Sequence, residues 1–143
     1  MSQLHAPICP FDAWKDGKND QLRGGEVISV LKHRFAYRYL DDGRVWRTLV
    51  TGKAHGETIA ELLTRHVDEM AILLPLAIDV LGDVESYNVY ASEGRVAGAL
   101  ISGHAHLNII PRYPDEPAAE MGLEKLIHEY NATILRYMWS GGT

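Results

Sequence analysis

Residues 103–113 read Gly-His-Ala-His-Leu-Asn-Ile-Ile-Pro-Arg-Tyr. Side chains on a β-strand alternate between faces. His104, His106 and Asn108 therefore share one face, and Ala105, Leu107 and Ile109 the other. The second face suits an apolar core. The first is a row of two imidazoles and an amide, where a structural strand would present charged or hydroxyl groups. A neutral imidazole nitrogen is a good nucleophile near pH 7. It needs its other ring nitrogen protonated and held by an acceptor such as a backbone carbonyl. Two readings compete. The histidines could be plain residues of an edge strand, or His-x-His with His55 as a third ligand could bind zinc. Nothing supplies a convincing third or fourth ligand at a known spacing, so no metal is expected.

The elements that would position this strand follow from pattern. Residues 1–25 read as irregular: Pro7, Pro10 and Asp16-Gly17-Lys18-Asn19-Asp20 punctuate them, and Ile8, Phe11 and Trp14 are expected to dock onto the domain. Glu26–Leu31, Phe35–Leu40 and Val45–Thr51 read as strands, the last two joined by a turn at Asp41-Asp42-Gly43. Thr58-Ile59-Ala60-Glu61 has the form of a capping box opening a long helix. Pro75 should kink or split that helix, and Gly82 should end it. Two further strands are read at Glu85–Ala91 and Gly103–Ile110, then a last helix over Ala118–Trp139. The expected fold is a single α+β domain over residues 1–143. It has a five-stranded antiparallel sheet, one long helix and a C-terminal helix.

Composition narrows the partners. The chain has 143 residues, 46% of them hydrophobic and 23% charged, with a net charge of −5. That is an ordinary globular balance. No basic excess marks a nucleic-acid partner, though a small phosphorylated ligand needs only a few local groups. One cysteine, Cys9, excludes an internal disulfide and fits a reducing compartment. The start, Met1-Ser2-Gln3-Leu4-His5, carries no basic or apolar run, and the apolar stretch Met70–Ile78 is too short to span a bilayer. A cytoplasmic protein without membrane association is expected.

The string His104-Ala105-His106-Leu107-Asn108-Ile109-Ile110-Pro111-Arg112 resembles the motif of the histidine triad family. That motif is His-φ-His-φ-His-φ-φ, with φ apolar, and many bacterial members continue into Pro-Arg. Weaker agreement extends to Cys9-Pro10-Phe11, to Leu49–His55 and to the helix after it. The resemblance implies attack on the α-phosphate of a nucleotide and a covalent nucleotidyl-histidine. His106 holds the nucleophile's position, and His104 would support its ring or a phosphate oxygen. Backbone N–H groups of the Ser92–Gly103 loop, with Ser92, Ser102 and Gly103, would contact phosphate. A homodimer using the last helix and the strand near Glu85–Ala91 is also implied, with no cofactor.

Departures from the family pattern are specific. Asn108 replaces the third histidine; it can donate a neutral hydrogen bond but cannot be a general acid. A branch of the superfamily carries glutamine there and acts in nucleotidyl transfer. Arg47 stands where the third strand usually has histidine, and arginine is a good phosphate ligand. Ala99-Leu100-Ile101-Ser102 replaces the family's Gly-Gln-Ser/Thr, and Ser92 replaces an asparagine. Cys9-Pro10-Phe11-Asp12 lacks the second cysteine of zinc-binding members. The expected function is hydrolysis or transfer at a nucleotide α-phosphate. The alternatives are a non-catalytic nucleotide-binding protein and a biosynthetic transferase, for which Asn108 is the hint.

Overall fold

The computed structural model describes residues 9–16, 25–97, 99, 103–116, 121–129 and 131–132. Three strands form a meander: β1 (Gly25–Val30), β2 (Arg34–Asp41) and β3 (Arg44–Gly52). Asp42 and Gly43, with φ of 54° and 79°, make the tight β2–β3 turn. Positive φ at both central residues matches the right-handed twist of the strands it joins. β4 (Tyr87–Tyr90) and β5 (His106–Pro111) complete the sheet, whose order is β1-β2-β3-β5-β4. Every neighbouring pair is antiparallel. Both last strands are shorter than expected. Gly103, at φ 78°, and His104 precede β5 and turn the chain into it.

The expected long helix is two. α1 (Pro10–Trp14) is a single turn within the N-terminal segment read as irregular; α2 spans Ile59–Thr64 and α3 spans Val67–Asp79. Thr58 and Glu61 form the capping box. The break falls at Arg65–His66, with His66 left-handed at φ 54°, and α3 runs through Pro75. Two buried groups set the break. The guanidinium of Arg34 donates to the carbonyls of Glu61 (3.4 Å) and Arg65 (3.1 Å) at the end of α2. Glu69, in the first turn of α3, accepts from the backbone N–H of His33 (2.9 Å) and Arg34 (3.0 Å). The carbonyl that Pro75 cannot serve belongs to Ala71, which is exposed, so solvent can satisfy it. Residues 123–129 are helical; the remainder of the expected C-terminal helix and Ile8 lie largely outside the described residues.

The sheet has two different faces. Ala36, Val50, Leu107 and Ile109 pack on Leu62, Leu73 and Ala77 of α2 and α3. The hydroxyl of Thr48 donates to the Ala77 carbonyl across that layer at 3.0 Å. On the opposite face Phe35, Tyr37, Tyr39 and Leu49 gather with Phe11 and Trp14 of α1. Trp14 stacks on Tyr37 with ring centroids 4.1 Å apart. No helix among the described residues is long and apolar enough to cross a membrane.

Candidate functional site

The pairing of β3 with β5 puts the chemical side chains on the α1 face. His106 lies opposite Thr51 and Asn108 opposite Leu49. Opposed residues share a face, and so do residues two apart, so Arg47 joins them. Ala105, Leu107 and Ile109 sit in the opposite core, as the alternation requires. His106 is 6% exposed and lies under Phe11, ring centroids 4.8 Å apart. The same phenyl ring meets His104 at 5.0 Å.

Hydrogen bonds fix both imidazole tautomers. His106 Nδ1 is 3.0 Å from the carbonyl of His104, and His104 Nε2 is 2.6 Å from the carbonyl of Gly52. A carbonyl only accepts, so each of these nitrogens carries the proton. The free lone pair is at Nε2 in His106 and at Nδ1 in His104. Burial, joined by the charge of Arg47 and by His104, holds His106 down at about 3 against the carbonyl bond that favours the cation. Burial likewise lowers His104, opposed by its bond to Gly52. Both rings are neutral at pH 7, the state a nucleophile requires.

Arg47 is the charge that acts on His106. Its Nε donates to Asn108 Oδ1 at 2.9 Å, and Nη2 donates to the same oxygen. The Asn108 amide donates to the carbonyl of Tyr90 at 3.4 Å. Arg47 and Asn108 therefore meet in one buried contact.

Ser92 and Gly103 lie elsewhere, at the His104 end. With Gly56, Thr58, Gly94 and His104 they line a cavity of about 160 Å³. Gly103 closes this corner: its carbonyl accepts from Gly56 N–H at 2.6 Å, and a Cβ there would approach His55 Nε2 to 3.3 Å. Ser102 lies outside the described residues. The predicted residues thus divide into a buried group, His106, Asn108 and Arg47, and a cavity group, Ser92 and Gly103, with His104 between them.

A four-donor cluster was missed from the sequence as a group. His104 Nδ1 is 3.3 Å from His55 Nδ1, 3.4 Å from Cys9 Sγ and 3.5 Å from Asp12 Oδ1. His55 Nδ1 is 3.5 Å from Asp12 Oδ2. A tetrahedral zinc site with bonds of about 2.0–2.3 Å has donor–donor edges of roughly 3.3–3.7 Å. The four contacts above, two of them to different Asp12 oxygens, fall in that range, and His104 already donates its other ring N–H to Gly52, the outer bond a metal-bound imidazole needs. These donors could hold a zinc ion, at a place where the sequence reading expected no metal. Asp12, three residues after Cys9, fills the place of the missing second cysteine and was the available signal.

No family model matches the chain, and no curated protein matches it. Solved structures do. A HIT family protein from Bacillus anthracis is 23% identical, with 92% of this chain and 97% of that one covered at a TM-score of 0.53. A HIT family member from Bacillus subtilis is 23% identical, with 90% and 95% covered at 0.54. Plasmodium falciparum diadenosine triphosphate hydrolase, solved with cyclomarin A, is 16% identical, with 96% and 98% covered at 0.51. At these identities the likeness establishes the fold: this chain has the α+β fold of HIT family proteins.

Proposed function

We propose that this protein is a nucleotide-binding hydrolase or nucleotidyl transferase acting at the α-phosphate of a nucleotide or nucleotide conjugate, with His106 as nucleophile. The observation that carries the reading is the bond from His106 Nδ1 to the His104 carbonyl. It leaves Nε2 as a lone pair on a neutral ring, set on a row of polar groups rather than in the apolar core. Nε2 attacks phosphorus, and the resulting imidazolium is stabilised through its Nδ1–H by that carbonyl. Asn108 acts as a neutral donor, and Arg47, Ser92, Ser102 and Gly103 contact the phosphates. Gly103, Gly94 and Gly56 keep the cavity beside His104 open to backbone approach. The HIT-fold hydrolase from Plasmodium falciparum, named for diadenosine triphosphate, supports this class of substrate by analogy.

Zinc held by Cys9, Asp12, His55 and His104 would tie α1 to the strand and take no part in the steps above. The protein acts as a homodimer in this reading. Tyr87 and Val89, exposed large apolar groups on the edge strand β4, support an interface there.

A second reading, nucleotide binding without turnover, is favoured by one observation: the Asn108 amide N–H, the donor the mechanism uses, already faces the Tyr90 carbonyl. The two readings separate on incubation with nucleoside phosphoramidates, dinucleoside polyphosphates and nucleotide sugars, followed by intact-mass spectrometry. A nucleotidylated protein is expected, absent in His106→Ala, which retains most nucleotide affinity and loses on the order of 10⁴-fold or more in turnover. Parental turnover in His106→Ala would remove His106 from the mechanism.

A further inference from the structure

The buried arginines of this protein are not equivalent. Arg34, 1% exposed, faces Glu57 through two parallel contacts of 2.7 and 3.2 Å. Arg38, Arg44 and Arg65 each meet a carboxylate as well. Arg47 is 4% exposed and meets none among the described residues. Its two hydrogen bonds go to one neutral oxygen, on Asn108, its Nη1 is buried without a hydrogen-bond partner, and its guanidinium carbon lies over the neutral Tyr39 ring, 5.4 Å from the centroid. The phenols near it are not counter-ions. Burial pushes Tyr39 up to about 12 and raises Tyr90, so both stay protonated at neutral pH. A guanidinium taken out of water needs an anion or a full set of acceptors, and the described residues provide neither.

The place of this unanswered charge is informative. Asn108 lies on the same sheet face as His106, two residues further along β5, and Arg47 stands on that face of the neighbouring β3, two residues from Leu49, the partner of Asn108. Neither is a general acid: an amide has no proton to give up and a guanidinium stays charged in proteins. What they offer is a fixed positive charge and a buried N–H with no acceptor among the described residues.

We propose that Arg47, oriented by Asn108, receives the negative charge that departs when His106 is nucleotidylated, so that this site selects substrates whose leaving group is itself a phosphate anion. The proposal rests on the nucleotidyl-transfer reading above. In the first step a bond forms from His106 Nε2 to the α-phosphorus, and the bond from phosphorus to the bridging oxygen breaks. The electron pair stays on that oxygen, which becomes a terminal oxygen of the departing pyrophosphate or nucleotide. Such an oxygen has a pKa of about 6 and needs no proton from the protein at pH 7. An amine or alcohol would have to leave with a proton, which the pair cannot supply. In the second step water bonds to phosphorus and the N–P bond breaks. His106 returns neutral with its Nδ1 proton in place, and the proton from water goes to solvent.

Inorganic pyrophosphate is the probe, followed by isothermal titration calorimetry on the parent, Arg47→Lys and Arg47→Gln. The parent should bind it. Arg47→Gln should lose at least tenfold in affinity, and Arg47→Lys, which keeps the charge without the fork, should fall between. The rate of nucleotidyl-His106 formation is then compared for a nucleoside triphosphate and an alkyl phosphoramidate of the same nucleoside. The parent should prefer the triphosphate by about 10²-fold or more, the scale of a removed charge-stabilising donor. Arg47→Gln should collapse that preference and Arg47→Lys should retain part of it. Equal pyrophosphate binding by parent and Arg47→Gln, or equal parental rates on both substrates, would overturn the proposal while leaving the His106 chemistry intact. Absence of any adduct, with pyrophosphate still bound through Arg47, would instead strike down the nucleotidyl reading and the leaving-group role with it.

Discussion

Glu57→Gln tests the packing on which the site is built. The change keeps the shape of the side chain and removes its charge, leaving the Arg34 guanidinium buried without a carboxylate. Breaking a buried pair from one side typically costs about 3–5 kcal/mol. The carbonyls of His33, Glu61 and Arg65 remain within 3.1–3.4 Å of the guanidinium, which argues for the lower end, about 3 kcal/mol. With a urea slope of about 2 kcal/mol/M for a domain of this size, the unfolding midpoint should fall by roughly 1.5 M. Removing both partners, as Arg34→Met with Glu57→Gln, should cost at least ~1 kcal/mol less than the two single changes added together. Gly52→Ala should act on the same pair, because a Cβ there would collide with Glu57 and sit 2.7 Å from Arg34 Nη1. The Gly52 carbonyl also holds His104, so this variant should disturb the site where Glu57→Gln need not. A midpoint shift under ~0.3 M for Glu57→Gln, or additive costs in the double variant, would refute the assignment of Arg34–Glu57 as the brace between β2 and the helices.

The four-donor cluster should take up one equivalent of zinc, measured by calorimetry with metal analysis, and chelation should lower the melting temperature. Burial raises the Cys9 thiol, so uptake should release a proton and weaken as pH falls; Cys9→Ser binding zinc as tightly as the parent would contradict the cluster. The Tyr39 phenol, raised by burial from 10.0 to about 12, stabilises the fold fully below pH 10 and loses that contribution as pH climbs through 12. At pH 11 the loss should approach about 1.4 kcal/mol, and Tyr39→Phe should flatten this alkaline limb in chemical denaturation; equal slopes would count against it. Light scattering after size exclusion should give twice the 16.0 kDa chain mass, and a monomer at micromolar concentration would remove the proposed dimer.

Local chemistry was legible and long-range chemistry was not. The alternation in β5, the Asp42-Gly43 turn and the Thr58–Glu61 capping box depend on residues within a few positions of one another, and the sequence displays each. The break between α2 and α3 depends on Arg34 and Glu69, 35 residues apart, so Pro75 looked like the weak point when His66 was. The tautomer of His106 is a local matter, because the carbonyl that holds its Nδ1–H belongs to a residue two positions away. Cys9 was visible as a lone thiol. Its partners His55 and His104 come from the loop after β3 and the approach to β5, and only the fold brings them within 3.5 Å of that corner. Arg47 and Asn108 each registered as a departure from the family pattern, but nothing in the chain ties one to the other before the sheet closes.

The order of strands has a consequence for how the protein is born. β1, β2 and β3 join through short turns and can pair as soon as they are made. β3 must then wait for β5: Thr51 meets the Ala105 carbonyl 54 residues later, and Arg47 meets Asn108 after 61. Closing such distances is the slow part of folding. Until it happens, β3 presents a nine-residue open edge of the kind that invites pairing with another chain. The seam that completes the sheet also carries every buried member of the chemical row. A nascent or truncated chain ending before residue 104 should therefore be both inert and prone to self-association, and a drug or mutation that slows closure of the β3–β5 seam should reduce yield before it alters the finished site.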